Sequence, residues 1–296
     1  MTRQAILMRD NSQKEKIMKL DFKKMMLMTS VLMLSAAASS FAATTVGGVL
    51  DDGAAKDVKV VTSTTYTVGL GVAMVPQYEG SKDYNVAPAP YFRAQMPTGQ
   101  YLELIGGTLT ANLVEDHTWQ AGPLLRYRGE RNPADIDNYS VKKYTNKVDA
   151  AVELGGFVGF QANQWNARFD MAQDVADGHK GLLATLSGGY TYLITKDASV
   201  GLNLSTTYAS SDYMHAYFNT SDNFNSPLIT HTYTADAGIK DVSASVTGRF
   251  RLDNNWGLIG AVRFTELSNG AADSPVVKND GSSSQMIAAV LATYTF

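Results

Sequence analysis

From Tyr66 to the final Phe296 the chain repeats one pattern, with an apolar side chain at every second residue and polar or charged ones between. A period of two belongs to a strand whose two faces meet different surroundings; a helix does not produce it. The run at 119–128 sets Trp119, Ala121, Pro123, Leu125 and Tyr127 on one side and Gln120, Gly122, Leu124, Arg126 and Arg128 on the other. The alternation recurs over residues 66–77, 84–95, 101–110, 150–161, 165–171, 182–192, 200–208, 242–251, 256–265 and 286–296. Composition agrees: glycine (25) and tyrosine (15) are plentiful, and charged residues make up 18%. An ordinary soluble domain carries about 25% charge.

Two closed arrangements can hide one face of so many strands: a soluble sandwich with a dry core, or a barrel whose apolar face meets lipid. The barrel is favoured on three grounds. Most runs are about 10–13 residues long, enough to cross a bilayer at a tilt, whereas globular strands peak near about 5–6. The polar face carries Arg126, Glu153, Arg168, Asp170, Arg249, Arg251 and Arg263, a set suited to an enclosed, hydrated interior. Aromatics gather near run ends, at Tyr66, Tyr84, Tyr101, Tyr127, Trp165, Tyr192, Tyr208 and Trp256, as interfacial girdles require. Short turns near 162–164, 195–197 and 253–255 alternate with long excursions at 129–147, 210–240 and 268–284. With the C-terminus in the periplasm, all three short turns fall on that side. The expectation is an all-β, antiparallel transmembrane β-barrel over residues 66–296. Eleven runs can be traced, and bacterial single-chain barrels are even-numbered, so twelve strands are expected. The twelfth lies in 57–64, 108–114 or 228–235.

The first 42 residues have another character. Lys19, Lys23 and Lys24 precede a short apolar stretch at 25–38, and Ser40 and Ala42 supply the small residues of a cleavage site before Ala43. That is the layout of a secretory signal peptide. The polar stretch ahead of it is unusual in a signal, which points to a true start at Met18. Cleavage removes seven Lys/Arg and three Asp/Glu, leaving 18 basic and 25 acidic residues, net −7. Residues 43–65 read as a flexible periplasmic lead-in. No stretch reaches the about 18–20 apolar residues of a membrane-spanning helix. Cysteine is absent, which excludes disulfide scaffolds, thiol catalysis and cysteine-held metal centres. No basic run marks a nucleic-acid partner.

Tyr294 and Phe296 at the end of an alternating strand resemble the C-terminal signal of bacterial outer-membrane barrels, which implies the barrel-assembly machinery and outer-membrane lipid as partners. A second likeness rests on Pro76, Gln77, Tyr78, Glu79, Gly80, Ser81, Lys82, Asp83 and Tyr84, followed by Pro88 and Pro90. With Gly122-Pro123, Tyr127-Arg128, residues 178–181 (GHKG) and Tyr213, Tyr217 and Phe218, the chain resembles the MipA/OmpV family over essentially all of 66–296. The resemblance implies a Gram-negative outer-membrane protein. The family's best-known member is a scaffold joining a lytic murein transglycosylase to a bifunctional penicillin-binding protein; other members are antigens, adhesins or stress-induced barrels.

No catalytic constellation stands out. His179, in the segment 174–179 (DVADGH), lacks the paired spacing of a metal site, and Gly178 speaks for a turn. No G-x-S-x-G elbow is present. Neither a cofactor, nor a metal, nor an enzymatic activity is therefore expected. The inward charges should pair across the barrel as an ionic plug, since an unpaired charge in a narrow lumen is costly. If instead they line a pore, the arginine surplus favours anions. The segment 76–84 is expected to be a Gly/Pro turn or a recognition loop. The aromatic-rich segment 210–240 folds into the mouth as a constriction, meets a surface partner, or packs on its own strands. The functional expectation is a scaffold for murein enzymes, with a narrow porin or a surface adhesin as alternatives.

Overall fold

The computed structural model describes residues 62–133, 146–220, 232–279 and 281–296. The expected signal segment, Met18, the Ala42–Ala43 junction and most of the lead-in lie outside the described residues. Twelve strands form: β1 (Thr65–Pro76), β2 (Tyr84–Gln95), β3 (Tyr101–Ile105), β4 (Thr108–Asn112), β5 (Trp119–Arg128) and β6 (Ala151–Ala162) in the first half. They continue as β7 (Trp165–Asp174), β8 (Leu182–Leu193), β9 (Ala198–Ala209), β10 (Gly238–Arg251), β11 (Trp256–Leu267) and β12 (Ser284–Thr295). Each pairs antiparallel with its chain neighbours, and β1 pairs with β12, so the sheet closes into a barrel without a terminal edge.

The alternation decides which face looks where. On β9 and β10, Leu202, Leu204, Val242 and Val246 are exposed, whereas Asn203, Ser205, Ser243 and Ser245 between them are buried. Apolar residues therefore point outward and small polar ones inward, the reverse of a soluble barrel. Lipid is the medium that makes an apolar outer band favourable. The inner face is not polar everywhere. Ala73 and Val75 of β1, Ala87 and Ala89 of β2, and Ile287 and Ala289 of β12 form a dry arc inside the wall. Alternation is weak in those strands because both of their faces are apolar.

All three tryptophans begin a strand at the end of the barrel where β1 starts and β12 finishes, here the terminal end. Trp119 packs edge-on against Phe160, Trp165 against Tyr190 and Trp256 against Tyr294, at centroid distances of 5.0, 4.8 and 5.0 Å. Each is about half exposed or more, as an interfacial aromatic belt is. Two of these tryptophans follow the same turn chemistry. The Asp116 carboxylate accepts the N–H groups of Thr118 and Trp119, and that of Asp253 accepts those of Asn255 and Trp256. These backbone bonds hold both carboxyls below their ordinary range. Tyr101 corrects the expected girdle: it faces inward and is buried.

The connections at the terminal end are all short: 96–100, 113–118, 163–164, 194–197 and 252–255. The opposite end, here the loop end, carries the long connections 129–150, 210–237 and 268–283, together with 77–83, 106–107 and 175–181. Among the described residues three helices sit in the loop-end connections: α1 (Ser211–Phe218), α2 (Asn269–Ala272) and α3 (Pro275–Lys278).

The twelfth strand comes from residues 108–114, one of the three expected places, but it also breaks the single run expected over 101–110. The chain turns back at Gly106 and Gly107, and Gly106 adopts φ +56, a left-handed conformation that glycine takes at no steric cost. Of the rejected places, 57–61 and 228–231 lie outside the described residues. Residues 62–64 and 232–235 form no strand, although Tyr233 bridges to Thr220.

The β1–β12 seam depends on close backbone approach. A Cβ on Gly71 would sit 1.9 Å from the Val290 carbonyl oxygen, so only glycine fits there. Nothing lies within 4 Å of a Cβ on Gly260. Gly71→Val should therefore abolish the heat-modifiable folded species on a gel, while Gly260→Ala keeps it; equal behaviour of the two variants would contradict this seam.

Candidate functional site

Strand register brings a set of charges together at the loop end of the lumen. Arg126 on β5 stands opposite Glu153 on β6, which stands opposite Asp174 on β7. The Glu153 carboxylate is fully buried. Arg126 donates to it at 3.1 Å and Arg128 at 2.7 Å. Arg126 also reaches Asp170 at 3.2 Å, and Arg168 lies 3.7 Å from the other oxygen of Asp170. Four of the seven residues expected in the lumen network, Arg126, Glu153, Arg168 and Asp170, thus meet. Burial forces this pairing, because a lone charge here would lose its hydration without compensation.

The remaining three sit elsewhere. Arg251 is bound to Asp197 at 2.9 Å and to the Lys196 carbonyl, in a terminal-end turn rather than inside the network. Arg263 donates to Ser205 Oγ at 2.6 Å. Arg249 shares the inner face of β10 with Ser243, Ser245 and Thr247. Strand order explains the separation, since β8 and β9 stand between β10 and β11 on one side and β5, β6 and β7 on the other.

His179 joins the network, a role the sequence reading did not assign. The Asp174 carboxylate accepts N–H groups from Ala176, His179 and Lys180 at 2.8–2.9 Å and shapes the 175–181 turn. The turn reading of this segment thus describes its backbone. Gly181 N–H donates to His179 Nδ1 at 3.1 Å, so that nitrogen carries no proton. Nε2–H then donates to Glu153 at 3.1 Å. Both ring nitrogens are engaged, and none is left to activate a nucleophile. Among the described residues no group of three or more His, Asp or Glu side chains is placed to hold a metal ion.

Above the network, α1 lies in the mouth. Tyr213, Met214, Tyr217 and Phe218 are all buried, and the Tyr213 and Tyr217 rings stack at 4.6 Å. His179 packs edge-on against Tyr213 at 4.9 Å, with Arg128 5.2 Å over the same ring. Such close seating needs Gly181, where a Cβ would lie 2.4 Å from the Tyr213 nitrogen. Arg131 donates to the carbonyls of Ala216 and Tyr217, satisfying acceptors the helix end leaves open. Ser274 Oγ donates to the Phe218 carbonyl at 2.6 Å. Segment 210–240 therefore folds into the mouth through residues 211–218; residues 221–231 lie outside the described residues.

Pro76, Tyr78, Gly80, Ser81 and Tyr84 belong to the β1–β2 hairpin. Gly80 takes φ +94, Ser81 Oγ bonds both backbone groups of Asp83, and Tyr78 is buried against Val276. The functional side chain of this turn is Glu79. It accepts the Tyr213 hydroxyl at 2.6 Å and the Lys240 ammonium, which also binds Asp241 at 2.5 Å. Burial alone would raise the Glu79 carboxyl, but Lys240 and Arg128 outweigh it and hold it below its ordinary value of 4.5. Burial also pushes the Tyr217 phenol up to about 12, so it stays protonated. Lower in the lumen, Arg93 pairs with Glu103 at 2.6 Å and covers the Tyr101 ring, which stacks on Phe157; Arg168 lies over the Phe157 ring at 4.0 Å. No sequence signal joined Glu79 to Lys240. Arg128 could have been added from its parity with Arg126.

This geometry locks a helix into a barrel mouth with ion pairs. The sequence profile of one family, described as MltA-interacting protein MipA, matches residues 68–296. No curated protein sequence matches. Among solved structures, the translocator domain of autotransporter NalP from Neisseria meningitidis is similar at 9% identity and TM-score 0.43, covering 83% of this chain and 92% of that one. An outer membrane channel from Pseudomonas putida F1 is similar at 11% identity and TM-score 0.40, covering 81% and 98%.

Glu153→Gln removes the anion shared by Arg126, Arg128 and His179. It should lower folding stability by about 3–5 kcal/mol, read as an earlier denaturant midpoint, because breaking a buried pair strands the surviving charges. An unchanged midpoint would deny the pairing. Glu79 titrates below its unfolded value, so its contribution is complete above pH 4.5 and is lost as pH falls through the lower folded value. A spin label at His215→Cys, on the exposed side of α1, should therefore gain mobility only below pH 4.5. Glu79→Gln should remove that pH dependence.

Proposed function

The chain belongs to the MipA family, and from that premise we propose that it is a Gram-negative outer-membrane barrel acting as an interaction scaffold for murein-synthesising and murein-hydrolysing enzymes, not as a catalyst. The apolar outer band and the Tyr294/Phe296 ending support insertion into the outer membrane by the barrel-assembly machinery. The loop end then faces outward and the tryptophan belt faces the periplasm.

The observation that carries the reading is the closed mouth. α1 stands over an ion-paired lumen, and each engaged nitrogen of His179 is spent on holding structure. What the barrel offers the periplasm is a rigid rim. The Asp116 and Asp253 turns have their backbone donors satisfied before any partner arrives, which lowers the ordering cost of docking. A lytic transglycosylase and a penicillin-binding protein are the partners implied by the resemblance to the family's best-known member.

A narrow anion-preferring channel is the second reading, favoured by Arg126, Arg168, Arg249 and Arg263 on the inner face; the seated helix stands against it. Planar-bilayer conductance separates the two, a silent barrel matching the scaffold. The scaffold itself is tested by crosslinking in membranes followed by capture of a lytic transglycosylase. Capture should occur with the wild type and weaken in the Asp116→Ala/Asp253→Ala double variant. No capture after crosslinking counts against the scaffold.

A further inference from the structure

Arg93, Arg126, Arg128 and Arg168 on the inner face each reach a carboxylate. Arg263 on β11 does not. Strand parity turns it inward, because Ile259 and Ala261 on the same face are buried while Phe264 is exposed to lipid. Its Nη2 donates to Ser205 Oγ at 2.6 Å, and among the described residues no carboxylate lies within ion-pair distance of it. A guanidinium presents five N–H donors in a rigid fork. Most of those on Arg263 are used by no described acceptor.

The wall in front of Arg263 is made of small hydroxyl side chains. Arg263 stands opposite Ser245 of β10, and Ser205 lies one strand further on, opposite Ser243. The arginine therefore crosses β10 along the wall, which serines are small enough to permit. One rung continues the surface: Thr265 and Ser243 bond each other at 2.9 Å, Ser243 pairs with Ser205, and Ser205 pairs with Ser187. Gly189, the next inner residue of β8 toward the terminal end, adds no side chain.

Small residues leave room in a barrel of this size, since about eight strands already enclose a space that side chains fill. Exposure locates that room. Arg263, Thr185, Ser187 and Gly189 face inward and are nevertheless partly exposed, whereas Ala261, Ile287 and Ala289 on the adjoining wall are dry. α1 closes the loop end, so the hollow is reached from the terminal end, where the connections are short.

The acids nearby are already engaged. The next rung toward the loop end holds Asp170, Thr185, Thr207 and Asp241. Asp170 is shared by Arg126 and Arg168, and Asp241 is bound by Lys240. A cation left without a carboxylate beside a dry wall favours an anion from outside. Its fork matches the paired oxygens of a carboxylate or phosphate, and the serine hydroxyls add further donors.

We propose that Arg263 and the hydroxyl rung of Ser187, Ser205 and Ser243 form a binding site for one small oxyanion, entered from the terminal end of the lumen. The site does not rest on the scaffold reading and requires no conducting pore.

Full-length protein folded in detergent is titrated at neutral pH with inorganic phosphate and, separately, with acetate, while chloride keeps the ionic strength constant. The midpoint for thermal loss of the heat-modifiable band is read at each concentration. A ligand that binds only the folded state raises this midpoint. Wild-type protein should show a saturating rise with at least one of the two anions, and the responding arm tells phosphate from carboxylate. Arg263→Gln should weaken the apparent affinity by about tenfold or more. Arg251→Gln, whose partner Asp197 lies in a terminal-end turn, should leave it unchanged. No saturating rise with either anion overturns the proposal. So does a response of Arg263→Gln equal to that of the wild type, which means an adventitious ion only. If Arg263→Gln gives no folded band, Ser205→Ala decides, because it keeps the charge and removes the hydroxyl that aims it. Its affinity should fall, and an affinity equal to that of the wild type overturns the proposal.

Discussion

A polypeptide in hydrocarbon must satisfy every backbone N–H and C=O from within, and this one requirement shapes the molecule. Twelve strands satisfy it by closing β1 onto β12. Closure then gives each strand two faces with opposite demands, apolar toward lipid and polar or packed toward the interior. Glycines such as Gly71 are present because the seam brings backbones closer than a side chain permits. Beside the β3–β4 tip the ladder is incomplete, and Pro88 carries no donor on that edge of β2.

The interior has the complementary problem of charge away from bulk water. It is solved by sharing: Glu153 serves Arg126, Arg128 and His179, and Glu79 serves Lys240 and Tyr213. The two clusters touch through Arg128 and the tyrosines of α1. A helix that could swing free is thereby tied to β5, β6, β10 and two loop-end connections. The geometry that rigidifies the mouth engages both ring nitrogens of His179 and the carboxylates of Glu153 and Glu79.

Much of the fold was legible in the sequence because two-residue periodicity survives wherever one face meets lipid and the other a polar lumen. It reads clearly on β9 and β10, where Leu202 and Leu204 alternate with Asn203 and Ser205. It fades on β1 and β2, whose inner residues, Ala73, Val75, Ala87 and Ala89, are as apolar as the outer ones. The β3–β4 turn at Gly106-Gly107 shifts the parity of the outward positions, from Leu102 and Leu104 to Leu109 and Ala111, a break too short to stand out within a run of ten residues. Network members were legible by strand parity but not by position around the barrel. Arg126, Glu153, Arg168 and Asp170 come from adjacent strands and meet; Arg251 has the same parity and ends in a turn with Asp197. Glu79 and Lys240 lie 161 residues apart and their pairing has no local signature.

The central claim is the assignment of faces, and a spin-label scan along β10 from Asp241 to Arg251, in lipid bilayers, tests it most directly. Oxygen accessibility is expected to rise at Val242, Ala244, Val246, Gly248 and Phe250 and to fall at Ser243, Ser245, Thr247 and Arg249, with period two. A profile without that period, or with maxima at the serines, would contradict the barrel as described.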